Sequence, residues 1–162
     1  MQARANFPNE VGGIVWYGAH AAHGTTFVPV AVGMSVVPDC LAYGWQGVYN
    51  ATTAFWANRN VENLAQAKFS YMIEDIREVQ NALESNAQKL VDELSQKFSA
   101  SASRSAHLDT AATEELTSAL TSNALKAVER YTTLLQELQF KYADGYINTW
   151  KAGRFVSTSA GE

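Results

Sequence analysis

Residues 52–76 read TTAFWANRNVENLAQAKFSYMIEDI, and the chain runs on from there to Phe98 without a glycine or a proline. Apolar residues recur at Val61, Ala65, Phe69, Met72, Ile76, Val79, Leu83, Ala87, Leu90, Leu94 and Phe98. The steps are threes and fours, averaging about 3.7 residues, which keeps the stripe on one face of an α-helix. Thr52 or Thr53 can cap its start, because a hydroxyl there accepts from an orphan backbone N–H. Unbroken to Phe98, such a helix would be roughly 70 Å long, well beyond the ~13–20 Å radius of a small domain. The spacing therefore predicts a bend near Gln66–Ser70. It also predicts a neighbour for the helix that this chain does not itself supply.

Length and composition narrow the possibilities around that helix. The chain has 162 residues, one domain's worth and enough to bury a core. Its formal net charge of −4 lacks the basic face that nucleic acid demands. No apolar run approaches the ~18 residues of a membrane span. The opening MQARANFPNEVGG has no apolar signal core, and a lysosomal or secreted location would follow only if the parent protein carries a signal peptide. A single cysteine, Cys40, excludes an internal disulfide and a zinc knuckle.

Outside the helix, residues 1–10 read as an irregular lead-in, with Pro8 opposing helix. Val11–Tyr17 (VGGIVWY) reads as a strand buried on both faces, His20–Gly24 as a turn, and Thr25–Val32 (TTFVPVAV) as a second strand. Pro29 removes one ladder donor and so predicts an edge position or a bulge. The two strands should pair antiparallel through the histidine-containing turn. Residues 99–108, rich in serine and alanine, read as a flexible connector. A second helix is expected from Asp109 or Thr110, with Glu114 and Glu115 near its positive end. Its stripe is Leu116, Leu120, Ala124, Val128, Tyr131, Leu135, Leu138 and Tyr142, and Asp144-Gly145 should end it with a left-handed glycine. The resulting division is 1–50 strands and loops, 51–98 long helix, 99–108 connector, 109–145 second helix and 146–162 polar tail. The fold class is α+β: a short antiparallel strand pair followed by two long antiparallel helices.

Few residues carry chemistry. His20 and His23 have a metal-chelating spacing, but they fall on a turn with no acid or thiol close in sequence, so neither a metal nor a cofactor is expected. His107 lies in the connector and should be solvated. Cys40 could act as a nucleophile with His20 or His23, or be a small buried thiol; no lysine or arginine lies nearby to favour its thiolate. The aromatics Trp16, Tyr17, Trp45, Tyr49, Phe55 and Trp56 crowd the early chain, as core or as a ligand platform. Arg59 sits in the first turns of the long helix, where the dipole disfavours a cation. It should have a specific partner, either Glu62 or Asp39, or else serve as an active-site guanidinium. Asn50-Ala51-Thr52 matches the N-glycosylation acceptor pattern.

Taken together, GGIVWYGAHAAHGTTFVPVAVGMSVVPDC, TAFWANRNVENLAQAKFSYMIEDI and KYADGYIN resemble the C-terminal third of the cysteine dipeptidases of the dipeptidase A and secernin type, which are N-terminal-nucleophile hydrolases. Ile14-Val15-Trp16, Thr26-Phe27-Val28-Pro29 and Ala54-Phe55-Trp56 with Arg59 and Asn63-Leu64-Ala65 stand where that family has its strand pair and following helix. The resemblance covers about residues 11–98 and 140–148. It implies an αββα sandwich and dipeptide hydrolysis by an N-terminal cysteine whose own amino group is the base. The chain departs from that pattern by beginning at Met1 and placing its one cysteine at position 40. The expectation is a portion of such a hydrolase without its nucleophile. Its partner would be a second chain carrying the rest of the sandwich, or another copy. The competing expectation is a non-catalytic relative used as a structural subunit. Arg59 is the candidate catalytic residue, His23, Trp56 and Asn58 are the candidate substrate-binding residues, and Asn50 is the candidate glycosylation site.

Overall fold

In the computed structural model, which describes residues 1–4, 7–101 and 107–159 (backbone only at 100 and 101), the early strands form a three-stranded antiparallel sheet. Gly13–Gly18 (β2) is central, flanked by the two-residue β1 (Gln2–Ala3) and by β3 (Phe27–Ala31). β1 corrects the reading of residues 1–10 as irregular. Pro8 instead starts a helical turn, α1 (Asn9–Gly12), which takes Val11 out of the strand.

Pro29 does lie on an edge strand, opposite Trp16. The Val32 N–H donates to Gly13 O at 2.9 Å. Counting by twos along the ladder then places Pro29 at a pair where its missing N–H faces away from β2. A helix seals that outer edge: Gln80 Nε2 donates to Thr25 O (2.8 Å) and the Phe27 N–H donates to Glu84 Oε1 (3.0 Å). By the same parity, Trp16 and Gly18 turn their backbone groups toward the β1 side. β1 reaches only as far as Ile14 there.

The sheet is not buried on both faces. Ile14 and Ala31 are buried on one face, packed with Val91, Leu94, Phe98 and Leu116. Val15 and Tyr17 point the other way and are each 40% exposed. Strand alternation explains the reversal, since neighbouring side chains leave on opposite faces.

The long stripe is two helices. Thr53 caps α3 (Ala54–Ala65), its hydroxyl accepting from the Trp56 N–H (3.4 Å) and donating to Asn50 O (2.9 Å). The bend falls at residues 66–68, where Ala67 and Lys68 make i→i+3 bonds to Leu64 and Ala65. Lys68 O then accepts from Tyr71 and Met72 to open α4 (Phe69–Ser101), roughly 50 Å long. Stripe residues on both sides of the bend are buried, Val61 and Ile76 completely. Phe69, at the restart, is exposed instead. α4 reaches Ser101, so it takes the start of the expected connector, of which 102–106 lie outside the described residues.

Asp109 caps α5 (Thr110–Lys141) through Oδ1, which accepts from the Ala112 N–H at 2.8 Å. α4 and α5 run antiparallel. The start of α4 meets the end of α5, with Lys141 Nζ on both Asp75 oxygens (2.7 Å each) and Tyr142 Oη on Asp75 Oδ2 (2.9 Å). At the other end Phe98 packs with Leu116. A second core joins α3, α5 and the start of α4, burying Val61, Met72, Ile76, Tyr131, Leu134 and Leu138. Full burial of each such side chain contributes about 1.5–3 kcal/mol.

The end of the chain corrects the reading of a polar tail. After a 3₁₀ turn at Ala143–Gly145, strands β4 (Tyr146–Lys151) and β5 (Arg154–Ser159) form a hairpin. Its two-residue turn, Ala152-Gly153, has positive φ at both positions (48° and 74°), the type I′ geometry that matches strand twist. The left-handed pair expected at Asp144-Gly145 is present (φ 54° and 82°), after α5 itself has ended at Lys141.

Candidate functional site

The β2–β3 loop closes over the first turns of α3, and polar contacts hold it there. Asn58 is buried; its Oδ1 accepts from Thr25 Oγ1 (3.0 Å) and from the Thr26 N–H (3.1 Å), while its Nδ2 donates to Ala54 O (2.8 Å). From α5, Tyr131 Oη donates to Gly24 O at 2.8 Å. Burial, with the nearby Glu84 and Glu62 carboxylates adding to it, pushes the Tyr131 phenol above its ordinary range, so it stays a donor. Gly24 packs closely on Glu62: a Cβ there would lie 3.0 Å from both Glu62 Cγ and Glu62 Oε1, so the carboxylate side chain would have to give by a few tenths of an ångström.

Glu62 is the residue that sequence reasoning missed as a site member. Its side chain is 4% exposed, Oε2 lies 2.7 Å from His20 Nδ1, and Oε1 is buried without a hydrogen-bond partner. The pair is 42 positions apart in sequence, which left no local spacing to read. The available signal was an acid on the buried stripe side of an amphipathic helix, where charges are kept only with partners.

Arg59 does not pair with Glu62 or Asp39. Its guanidinium carbon lies over the rings of Phe55 (5.4 Å) and Trp56 (5.3 Å), a cation–π arrangement that offsets the unfavourable helix dipole. Among the described residues it makes no ion pair, which leaves its N–H donors free for an anion. Trp56 is fixed by Nε1 donating to Val48 O (2.9 Å), with Tyr49 edge-on at 5.1 Å. Phe55 meets Trp56 (5.4 Å) and the His20 ring (6.1 Å), each in a T-shaped arrangement.

The fold thus gathers Arg59, Trp56 and His20 around Phe55. Asn58 is buried and spent on the Thr25 hydroxyl, the Thr26 N–H and the Ala54 carbonyl, and His23 lies elsewhere, edge-on to Phe69 at 5.5 Å. The two histidines therefore do not converge on a common ligand, and among the described residues no cluster of three or more His, Cys, Asp or Glu could hold a metal. His107 is 95% exposed, with Nδ1 2.6 Å from Glu10 Oε1. Asn50 is exposed, and its Oδ1 accepts from both the N–H (3.0 Å) and the hydroxyl (2.7 Å) of Thr52.

Cys40 lies in α2 (Asp39–Ala42), buried in the core with Leu41 and Val28. Burial, and after it the charge of Asp39, pushes its thiol up and disfavours the thiolate that a nucleophile needs. Beside it the open face of the sheet forms an apolar hollow of about 250 Å³ lined by Val15, Tyr17, Val30, Val37 and Leu41. In the segment that follows β3, Val36, Tyr43, Trp45, Val48 and Tyr49 are also exposed. No helix among the described residues is long and apolar enough to cross a membrane.

Comparison with known proteins adds one finding. The sequence model of peptidase family C69 matches residues 1–82, which takes in the sheet, the β2–β3 loop, α3 and the start of α4. No curated protein matches the chain.

Proposed function

The chain belongs to peptidase family C69, and from that membership we propose that it is a portion of a cysteine dipeptidase-like hydrolase acting on dipeptides or other small amides. The carrying observation is the state of its single thiol. Cys40 is inside the core with its thiolate disfavoured, so this thiol is not the nucleophile of the reaction, which lies outside these 162 residues. The rest of an αββα sandwich, on a second chain or on another copy of this one, packs on the open face at Val15 and Tyr17 and extends the sheet beside Trp16 and Gly18. The apolar hollow and the unpaired backbone of β2 support this. Arg59 serves the reaction as the group that holds the substrate's negative charge, on the platform made by Trp56 and Phe55.

The test begins with native material. Intact mass and N-terminal sequencing should find a second, cysteine-initiated chain that co-purifies, and dipeptide hydrolysis should follow the pair and not this chain alone. Arg59→Gln should then lower kcat/KM by about 10²-fold. Hydrolysis by the purified single chain would overturn the reading. The second reading, a non-catalytic structural subunit, draws on the same open face as an assembly surface. A homogeneous chain in a large, hydrolytically silent assembly would establish it. Iodoacetamide should modify native Cys40 far more slowly than the unfolded chain. Asn50 would carry a glycan wherever the parent protein passes through the secretory route, seen as an endoglycosidase-sensitive mass lost in Asn50→Gln.

A further inference from the structure

We propose that the tip of hairpin β4–β5 docks on an anionic lipid surface, with Trp150, Phe155 and Phe140 seated at the headgroup level and Lys151 and Arg154 on lipid phosphates. None of these residues belongs to the hydrolase reading above.

The base of the hairpin is fixed. Ile147 packs against the core that joins α3 and α5, and the buried Asn148 donates from Nδ2 to Phe140 O at 3.0 Å. Further along the ladder that packing ends. Trp150 and Phe155, partners across the two strands, are 66% and 52% exposed. Their rings meet at 5.9 Å, and Phe155 also meets the exposed ring of Phe140, from α5, at 6.1 Å. Three large rings therefore form one cluster on the surface, which burial in this chain does not explain.

Charge gathers at the same place. Lys151 and Arg154 flank the Ala152-Gly153 turn, both are exposed, and neither makes an ion pair among the described residues. No acidic residue lies between Gly145 and Ser159, in a chain whose formal net charge is −4. The tip is a positive, aromatic point on an otherwise acidic molecule.

Size chooses among the surfaces that such a point could meet. A protein partner needs roughly 800 Å² and about 20–30 residues on each side, and residues 150–155 offer a fraction of that. Single-stranded nucleic acid needs a basic groove that follows its backbone, which two cations at a turn do not make. A bilayer asks for less. Aromatic rings settle at its interface, Lys and Arg stems reach past them to the headgroups, and each cation near an anionic leaflet strengthens binding about fivefold.

The experiment is flotation of the full-length chain with vesicles of phosphatidylcholine and phosphatidylserine in equal parts, and with phosphatidylcholine alone. The chain should float with the first, far less with the second, and come off in high salt. Lys151→Gln with Arg154→Gln should weaken binding roughly thirtyfold, and Trp150→Ser with Phe155→Ser at least about tenfold. Should the serine pair disturb the hairpin, Trp150 still reports its own position. Brominated lipid should quench part of the tryptophan emission, and that part should vanish in Trp150→Phe, which keeps a ring on the ladder. No flotation, flotation untouched by the glutamine pair, or quenching unchanged in Trp150→Phe would overturn the proposal. So would tighter binding to a single-stranded oligothymidine than to the vesicles.

Discussion

Ile14 and Val15 are neighbouring β-branched residues of one strand, and the fold treats them oppositely: 2% against 40% exposed. Ile14 meets a face closed by α4 and α5, and Val15 meets a hollow. The same contrast separates Ala31 from Val32, which is 67% exposed. On its closed side the chain is a finished core. On its open side the packing is partial: Val28, opposite Tyr17, is buried against Cys40 and Leu41, while Val15 and Tyr17 stay half-exposed and apolar.

Truncation on the closed face should have the largest effect. Ile14→Ala is expected to destabilise the chain by about 2–5 kcal/mol in urea titration, because the cavity lies among residues that cannot all collapse into it. A cost near zero would mean that the closed face is loosely packed, and the contrast would dissolve. Tyr131→Phe comes next, at about 1–3 kcal/mol, since it strips the donor from the buried Gly24 carbonyl.

An alkaline loss of stability should be smaller and follows from Tyr131 and Tyr142. Burial pushes both phenols up, with the Asp75 hydrogen bond adding to it at Tyr142. The folded state thus keeps protons that the unfolded state releases above about pH 10. Their contribution is complete below that pH and declines as pH rises toward the folded values. Melting temperatures taken across that range should fall, and Tyr142→Phe should flatten the decline. Val15→Ser should do least, within about 0.5 kcal/mol for the chain alone, yet it should weaken association with a cysteine-bearing partner in a pull-down. If it instead destabilises the isolated chain as much as Ile14→Ala, the open face is not open in solution.

Much of the closed half was legible from spacing. The stripe residues Val61, Ala65, Met72, Ile76, Ala87, Leu94 and Phe98 are buried, Thr53 and Asp109 cap their helices, and Pro29 is on an edge. These are local signals, a period or a hydroxyl before a helix, and they survive folding because they act within a few residues. The burial of the Val11–Tyr17 run on both faces was misread because a continuous apolar run does not say whose atoms cover it. Hairpin β4–β5 was missed because its turn, Ala152-Gly153, is not one of the Asn-Gly or Asp-Gly pairs that mark such turns in sequence, and charged Lys151 and Arg154 flank it. In the site, Arg59 drew notice through the dipole rule, but its ring partners could only be seen once Phe55 and Trp56 were placed. The His20–Glu62 pair needed the tertiary fold outright.

The edge at β3 has a consequence for growth. With the Phe27 N–H held by Glu84, no N–H at Pro29, and Ala31 O accepting from Met34, that side offers no ladder to a newcomer. Within this sheet an added strand must arrive at β2, where one place exists. Two molecules could meet there back to back, but that joined sheet would then have no vacant rung left, so growth by repeated addition stops in it at the pair.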